Sequence, residues 1–246
     1  MSLSPQVQQR LDTAKVMQLA YRPNQDVTEL IKQKHIVMFV GPAGCGKSYI
    51  MQQIDSSDND STRVVDITSR PARPDDTPGA MIYIPHDDEN ISKMLDHIER
   101  GELVQWSVHP TTGYFYATAT NGYKSANNML EVLSSMVTYM HTLPFRRTTV
   151  IGVAADPTHW ATWFNARFPT GSEERHKRLQ EAIMSLEWLT DATHGSLVQW
   201  IVNSPDRDTA SDALAIMRQT SYGGEGRTTA LAMLDWARGQ FVASNE

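Results

Sequence analysis

The chain has 246 residues, 40% of them hydrophobic, which is enough for a complete core in one large domain or in one domain with appendages. Its formal net charge of −6 argues against a surface that attracts nucleic acid as a whole. Cys45 is the only cysteine, so no disulfide can form within the chain and a reducing compartment is expected.

The first part of the chain alternates between helical and strand patterns. Residues 5–34 favour helix with an interruption at Pro23, and "HIVMFV" from His35 is a continuous apolar run typical of a strand buried on both faces. Helical character then continues to about Ile54, and "TRVVDIT" predicts a second strand. After the turn-rich "SRPARPDDTPG", the stretch "DENISKMLDHIERG" predicts a helix with acids in its first turn.

The second part continues the alternation. "LVQWSV" and "GYFYAT" predict two strands joined by a turn, and "YKSANNMLEVLSSM" predicts a helix. "TTVIGVAA" (148–155) predicts a strand, "THWATWFNARF" a helix, and "EERHKRLQEAIMSLEWL" a long charged helix. "LVQWIVN" predicts the last strand, "DTASDALAIMRQ" the helix after it, and the tail a helix that ends near Phe241. This order predicts an α/β fold, a mainly parallel sheet flanked by helices with a small antiparallel insertion near residue 110.

A glycine-rich loop follows the first predicted strand. Gly41, Gly44, Gly46, Lys47 and Ser48 fit the pattern G-x-x-x-x-G-K-[ST], with a strand before the loop and a helix after it. The glycines allow consecutive backbone N–H groups to point at phosphate oxygens, Lys47 would reach the β- and γ-phosphates, and Ser48 would coordinate Mg²⁺. We therefore predict that the ATP phosphates are held by Gly41, Ala43, Gly44, Cys45, Gly46, Lys47, Ser48 and Tyr49.

Other classes of nucleotide-binding protein fit less well. The sequence has no N-K-x-D string of the kind that a switch GTPase uses to recognise its base. A motor ATPase would show an apolar strand that ends in an acid, whereas Asp66 falls in the middle of a predicted strand and Asp156 after one. Of the classes of nucleotide-binding protein considered, the one that remains is a kinase that transfers phosphate to a small acceptor.

Two arginines follow the glycine-rich loop by some twenty residues. Arg70 and Arg73 lie in "TSRPARP", where the prolines favour an extended backbone with about three residues per turn, so both side chains project from one side. They lie roughly 9 Å apart along such a segment, and two guanidinium groups at that spacing can converge on one dianion. In isolation the segment would be a solvated basic turn, but its place after a phosphate-binding loop favours a second phosphate site.

These stretches together resemble the guanylate kinase family. "GPAGCGKS", "TSRPARPDDTPG", "GELVQW" and "YFYAT" are similar to the family's G-P-x-G-x-G-K-[ST], T-T-R-x-P-R-x-G-E-x-x-G, G-x-F-L-E-W and Y-Y-G-T. The resemblance resumes at "WFNARFPTGSEERHKRLQEA" and "WIVNSPD" and covers about residues 35–219. It implies a P-loop kinase fold with a mixed or antiparallel acceptor-binding insertion at about 68–126 and a helical lid at about 165–178, preceded by a helical extension (1–34) and followed by a C-terminal extension (220–246).

The resemblance also implies roles for individual positions. Arg70 and Arg73 would bind the acceptor monophosphate, Gly79 would close their loop, and the hydroxyl of Thr118 would help to recognise guanine. Lid arginines would close over the transferring phosphate, and Asn203 would lie beside the ATP base. The implied catalytic residues are Lys47, Arg167, Arg175 and Arg178, and the implied acceptor-site residues are Arg70, Arg73, Gly79, Tyr83, Gln105, Tyr116 and Thr118.

The sequence departs from the family pattern at base-recognition positions. Gln105 stands where the family has a glutamate that accepts hydrogen bonds from guanine, so the negative charge there is lost. The family tyrosine falls at Ile82, with Tyr83 one residue late, and "YGT" has become "YAT". The family also has an acid on a strand before the lid, and the stretch taken as its counterpart, "SSMVTYMHTLP", contains none.

We therefore expect an enzyme, a nucleoside monophosphate kinase that uses ATP and Mg²⁺, with GMP or dGMP as the leading acceptor. The departures leave open another nucleotide or a phosphorylated sugar, and a non-catalytic binding module is a third reading. The N-terminal residues lack a signal-peptide pattern, and no apolar run approaches the roughly 20 residues of a membrane span, so we expect a soluble cytoplasmic protein without membrane or nucleic-acid partners. The sequence sets no expectation for the oligomeric state.

Overall fold

The computed structural model describes residues 3–74, 76–220 and 226–243. The helices in these ranges are α1 (Pro5–Met17), α2 (Gln25–Ile31), α3 (Lys47–Ser57), α4 (Asp88–Glu99), α5 (Ser134–Thr142), α6 (Pro157–Arg167), α7 (Glu173–Thr190), α8 (Thr209–Met217) and α9 (Gly226–Ala243). The strands are β1 (His35–Val40), β2 (Ser61–Arg63), β3 (Asp66–Thr68), β4 (Met81–Tyr83), β5 (Leu103–Val108), β6 (Phe115–Ala119), β7 (Asn127–Glu131), β8 (Arg147–Ala155) and β9 (Val198–Asn203). The predicted extensions include residues 1, 2, 221–225 and 244–246, which lie outside the described residues.

The chain divides into two compact units. The first comprises Met1–His35, Asp60–Asn128 and Thr138–Arg147, and the second comprises Ile36–Asn59, Met129–Val137 and Thr148–Glu246.

The first unit contains a four-stranded sheet in the order β4-β3-β6-β5. Strand β3 is parallel to β4 and antiparallel to β6, and β6 is antiparallel to β5, so the predicted antiparallel insertion is present. On one face Trp106 stacks on Phe115, and the ring of Tyr21 meets Trp106 edge-on. Helices α2 and α4 pack against β5, and α1 packs against α4. The helices that precede β1 are therefore part of this unit.

The second sheet has five strands in the order β2-β7-β1-β8-β9, and it is parallel and flanked by helices. Every residue of β1 is buried, as its unbroken apolar run predicted. In the second unit α9 packs on α7, α6 and β9, where Trp236 contacts the rings of Trp160 and Phe164. The predicted C-terminal helix thus packs on the core of its own unit.

Two predicted elements were wrong. "TRVVDIT" is two strands, because the chain leaves the five-stranded sheet after Arg63 and enters the other sheet at Asp66. "YKSANNMLEVLSSM" was predicted as one helix, but it holds strand β7 and only the start of α5. Met, Leu, Glu and Ala favour helix intrinsically, yet this segment lies between β2 and β1, where strand hydrogen bonds override that preference.

Candidate functional site

The glycine-rich loop joins β1 to α3, and its backbone requires glycine at the predicted positions. Gly44 and Gly46 have φ angles of 77° and 95°, in the left-handed region that glycine tolerates best. A Cβ atom on Gly41 would lie 2.6 Å from the carbonyl oxygen of Val153. The close approach holds the start of the loop tightly against β8, and the loop ends at the N-terminus of α3, where free backbone N–H groups favour anions.

Lys47 and Ser48 stand at the start of α3. The Nζ atom of Lys47 donates hydrogen bonds of 2.9 Å to the carbonyl oxygens of Gly41 and Pro42, and lies 4.0 Å from Oε2 of Glu131. Ser48 Oγ donates to Oε1 of Glu131 at 2.5 Å. An ammonium, a hydroxyl and a carboxylate therefore meet at the end of the loop.

Glu131 is the residue that sequence reasoning missed. It is the last residue of β7, the neighbour of β1 in the sheet, so its side chain reaches the loop. The expectation that the strand acid is absent is therefore wrong, because "SSMVTYMHTLP" forms α5 and its flanking turn whereas the strand before it ends in Glu131. The sequence signal that could have identified Glu131 is an acid at the end of a short apolar run. It was overlooked because the same segment was predicted as a helix.

The side chains of Ser48 and Glu131 fit a bound Mg²⁺. A hydroxyl and a carboxylate are hard oxygen ligands of the kind that Mg²⁺ prefers, and Mg²⁺ on a nucleotide takes only one or two protein ligands besides phosphate oxygens and water. Among the described residues no group of three or more His, Cys, Asp or Glu side chains could hold a metal on its own. The predicted role of Ser48 thus gains Glu131 as a partner.

Neighbouring side chains hold the loop backbone. Trp160 Nε1 donates to the carbonyl of Ala43 at 2.9 Å, and Asn203 Nδ2 donates to the carbonyl of Cys45 at 3.0 Å. Burial raises the pKa of the Cys45 thiol, which therefore stays protonated and acts as a small filler. Tyr49 is exposed on α3. The adenine-side role of Asn203 stays a prediction, alongside its observed contact with the loop.

The predicted lid arginines differ in their surroundings. Arg175 is buried and donates to Asn165 Oδ1, the carbonyl of Phe168 and Gln240 Oε1, so it fastens α7 to α6 and α9. Arg178 pairs with Glu174 and Glu181 on its own helix.

The third lid arginine, Arg167, is exposed in the last turn of α6, with its guanidinium over the ring of Phe168. The catalytic roles of Arg167, Arg175 and Arg178 stay predictions.

In the first unit the predicted arginine segment forms a compact cluster around the carboxylate of Asp76. Arg70 donates from Nη1 and Nη2 to the two oxygens of Asp76, at 2.8 and 2.5 Å. The hydroxyl of Tyr83 and the backbone N–H of Arg73 each donate to Asp76 Oδ2 at 2.6 Å. We call Arg70, Arg73, Asp76 and Tyr83 the arginine site: four donors converge there on one carboxylate.

The electrostatics of the arginine site match this geometry. Burial acts to raise the pKa of Asp76, but hydrogen bonds from Arg70, Tyr83 and the Arg73 N–H outweigh it and hold that pKa well below its usual range. The carboxylate is therefore charged at neutral pH. Gly79, which closes the segment with a φ of 75°, has open space where a Cβ would be. The structure thus brings Tyr83 to the arginine despite its one-residue offset.

A row of polar side chains crosses the same sheet. Asp66 on β3 lies opposite Thr118 on β6, and Thr118 lies opposite Gln105 on β5. All three are buried, and Thr118 Oγ1 lies 2.9 Å from the hydroxyl of Tyr123. We call Asp66, Thr118 and Gln105 the polar row. The sequence predicted Gln105 and Thr118 as base-recognition residues but had no place for Asp66.

The polar row and the arginine site share one face of the sheet. Tyr116 and Thr118 are two apart on β6, so their side chains project from the same face about 7 Å apart. Thr68 on β3 pairs with Tyr116 on one side and with Tyr83 on the other, so all three side chains project from the same face. Tyr83 belongs to the arginine site, which therefore lies on this face. The arginine site and the polar row thus lie on one face of the same sheet.

Comparisons with known proteins add little to this geometry. No family model and no curated protein matches the sequence. A crystal structure of guanylate kinase from Anaplasma phagocytophilum is similar in structure at 15% sequence identity and a TM-score of 0.48, over 86% of this chain and 98% of that one. At this identity and TM-score the neighbour's activity is not transferred to this chain. No helix in the described residues is both long and apolar enough to cross a membrane.

Proposed function

We propose that this chain is a nucleoside monophosphate kinase that transfers the γ-phosphate of ATP to a nucleoside monophosphate, with GMP or dGMP as the leading acceptor. The observation that carries the proposal is the arginine site, where Arg70, Arg73 and Tyr83 direct four donors at one anion, the carboxylate of Asp76, whose place an acceptor phosphate would take. Such a site suits the terminal phosphate of a small acceptor, and the resemblance of the surrounding sequence to guanylate kinases supports it. The glycine-rich loop would bind the phosphates of ATP.

The reaction needs little covalent chemistry from the protein. An oxygen of the acceptor phosphate attacks the γ-phosphorus, the bond from that phosphorus to the β-phosphate oxygen breaks, and ADP leaves with the electron pair. The attacking oxygen is already anionic, so no general base is required, and catalysis rests on positioning and charge neutralisation. Lys47 would neutralise the β- and γ-phosphates as charge moves toward ADP. Ser48 and Glu131 would hold the Mg²⁺, which supplies further charge neutralisation when bound.

Gln105 favours a second candidate within the same reaction class. A glutamine presents both a donor and an acceptor, and it lacks the charge with which a glutamate would favour guanine. The second candidate is therefore the same transfer to a different nucleotide. Its geometry and chemistry are otherwise those of the first.

The test is an ADP-release assay with ATP and Mg²⁺ against GMP, dGMP, AMP, CMP, UMP and dTMP in turn. We expect turnover with at least one acceptor, and we expect Arg70→Lys to lower kcat/KM for it about 10- to 100-fold, since lysine cannot reproduce the bidentate geometry. KM for ATP should change little.

Arg10→Lys is the matched control, because Arg10 forms exposed ion pairs with Asp96 and Glu99 and should leave the rates unchanged. Silence with all six acceptors would contradict the proposal. Full activity of Arg70→Lys would contradict the role given to the arginine site.

A further inference from the structure

The guanidinium of Arg70 is already engaged within the protein. Its Nη1 donates to the carbonyl of Pro71 at 2.9 Å and to Asp76 Oδ2 at 2.8 Å. Its Nη2 donates to Asp76 Oδ1 at 2.5 Å and to the sulfur of Met81 at 3.1 Å. Each Nη atom carries two hydrogens, so all four have a partner. A second anion can form a bidentate pair with these two nitrogens only if Asp76 leaves.

Burial restricts access to this guanidinium. The side chain of Arg70 is 5% exposed and that of Asp76 is 17% exposed, so the pair is more open to solvent at the carboxylate. Tyr83, which donates to the same carboxylate, is also partly exposed. A phosphate that arrives from solvent therefore meets Asp76 and Tyr83 before it can reach Arg70.

The chain around Asp76 allows its carboxylate to move. Asp76 lies between β3 and β4, in a turn in which its backbone N–H donates to the carbonyl of Arg73 at 3.1 Å. Strand hydrogen bonds join backbone atoms, so a change of side-chain rotamer at Asp76 leaves both strands intact. The exchange of Asp76 for a ligand thus needs a side-chain movement rather than unfolding.

A phosphate monoester suits the donors around Asp76 better than a carboxylate does. It carries up to two negative charges and three terminal oxygens, whereas a carboxylate carries one charge and two oxygens. Asp76 has the advantage that it is tethered beside Arg70, so a free ligand must overcome its high effective concentration. A hydroxyl or a carboxylate on a ligand is no stronger an acceptor than Asp76 and would not overcome it. The site therefore favours a ligand that carries a phosphate.

We propose that Asp76 is an internal competitor of the acceptor, which occupies the phosphate position in the free protein and is displaced from Arg70 by the acceptor's phosphate. Asp76 thereby determines specificity, since only a ligand with a phosphate group releases the arginine. This inference rests on the proposed function and concerns the selectivity of its acceptor site. The opposite arrangement is a fixed Asp76 that orients Arg70 while the phosphate binds beside the pair, and the two differ in the position of Asp76 in the complex.

The experiment measures equilibrium binding of GMP, dGMP, AMP, CMP, UMP and dTMP to the full chain without ATP, so that it does not depend on turnover. Each monophosphate is compared with its nucleoside, which lacks the phosphate. Asp76→Asn keeps the size of the side chain but removes its charge, so the competitor becomes weaker. We expect this variant to bind at least one monophosphate about 10- to 100-fold more tightly than the wild-type protein does, the range for a hydrogen bond to a charged group. Affinity for the nucleosides should stay within about threefold.

A crystal structure of the wild-type protein with the monophosphate that binds most tightly locates Asp76 in the complex. Its carboxylate oxygens should lie more than about 4 Å from Arg70 Nη1 and Nη2, beyond ion-pair distance, with phosphate oxygens in their place. This structure distinguishes displacement from the mere loss of a negative charge near the ligand, which would also raise affinity.

Glu102→Gln is the matched control. Glu102 forms a bidentate pair with Arg100, at 2.8 and 3.0 Å, but this pair is exposed and lies outside the arginine site. The variant should leave every affinity unchanged. The melting temperature of each variant is measured in parallel, and a purely structural role for Asp76 would change that temperature without a gain in monophosphate affinity.

The outcomes separate this inference from the proposed function. Unchanged or weaker monophosphate binding by Asp76→Asn overturns the inference, as does a complex in which Asp76 still pairs with Arg70, and the kinase reaction stands if ADP release occurs. Tighter binding together with displacement, but without ADP release, supports the inference and removes the kinase reaction. Binding by Asp76→Asn alone supports the inference, because the wild-type carboxylate then excludes the ligand. Absence of binding by both proteins overturns the inference and the proposed acceptor site, and the wild-type complex decides the matter if Asp76→Asn fails to fold.

Discussion

The glycine-rich loop of the second unit and the arginine site of the first unit are built in different ways. The loop is eight consecutive residues whose shape comes from glycine backbone angles, and only Lys47 and Ser48 contribute functional side chains. The arginine site is built mostly from side chains that come from a turn and from edge strand β4, and these converge on Asp76 together with one backbone N–H from Arg73. A backbone-built site fails when its backbone changes, whereas a side-chain-built site fails when a functional group changes.

Two glycines provide the largest expected difference between these sites. Gly46 and Gly79 both have positive φ angles, but a Cβ on Gly46 would lie 2.1 Å from Asn203 Nδ2, whereas a Cβ on Gly79 would meet nothing within 4 Å. We expect Gly46→Ala to weaken ATP binding about 100-fold or more, because it would force the loop away from Asn203. Gly79→Ala should cost only the strain of its φ angle, about 1 to 2 kcal/mol, and less than about 10-fold in acceptor affinity.

Calorimetric titration of both variants with ATP and with the acceptor checks this difference, and the melting temperature confirms that each variant is folded. The same loss of ATP binding in both variants would show that the loop has no special dependence on its backbone. A large effect of Gly79→Ala on the acceptor alone would show that the arginine site is also built by its backbone.

The difference in construction also explains what the sequence could predict. The loop was predictable because its chemistry lies within eight adjacent residues, and Arg70 was predictable because it stands in a short proline-containing segment some twenty residues after the loop. The contact of Glu131 with the loop and the place of Asp66 beside Thr118 were not, because both depend on which strand lies next to which. For Asp66 the deciding fact is its pairing with Thr118, about fifty residues away, and no local pattern reports strand register.

The secondary structure was likewise predictable where the signal is local and was not predictable where it depends on neighbouring strands. Long periodic segments such as α4 and α7, and the apolar run of β1, were predicted correctly. The short β7 was predicted as helix, since five residues carry little periodic signal and its burial comes from its neighbours in the sheet. That single error also concealed the acid at the end of the strand.

Replacement of Glu131 should have an effect on turnover that is smaller than the effect of Gly46→Ala on ATP binding. It tests whether the function of the loop depends on a side chain from outside the loop. Glu131→Gln keeps the size of the side chain but removes its charge, so it should weaken the pairing with Ser48 and the hold on Mg²⁺. We expect the Mg²⁺ concentration for half-maximal turnover to rise about 10-fold and kcat to fall about 10- to 100-fold.

The measurement is a Mg²⁺ titration of ADP release at saturating ATP and acceptor. Glu89→Gln is the control, because Glu89 forms only an exposed pair with Lys93 on α4. An unchanged Mg²⁺ dependence in Glu131→Gln would mean that Glu131 does not bind the metal. The loop would then hold Mg²⁺ and ATP without a side chain from outside it.

The smallest expected effect is on the pH dependence of stability, and it comes from His35. His35 is the first residue of β1, the strand that leads into the glycine-rich loop. His35 is buried, and its Nε2 accepts a hydrogen bond from Arg147, so its other nitrogen donates to Asn127 and the ring is neutral. Burial lowers the pKa of His35 to about 4, since the charged ring would be desolvated. The folded protein therefore resists a proton that the unfolded chain accepts below about pH 6.5.

The sign of this linkage fixes the expected pH dependence. The stability that His35 contributes is fully present above about pH 6.5 and is lost as pH falls toward 4, which amounts to about 2 kcal/mol between pH 7 and pH 5. Carboxylates with lowered pKa values, such as Asp76 and Glu102, lose their contribution only below about pH 4.5, so they do not interfere in that range. Urea unfolding at pH 7 and pH 5 should thus show a decrease in the wild-type protein that is about 2 kcal/mol smaller in His35→Gln. The pKa of His86 is also lowered by burial, but His86 contributes equally in both proteins and cancels from their difference. An equal decrease in the two proteins would therefore contradict the prediction, because it would mean that His35 is protonated as easily in the folded protein as in the unfolded chain.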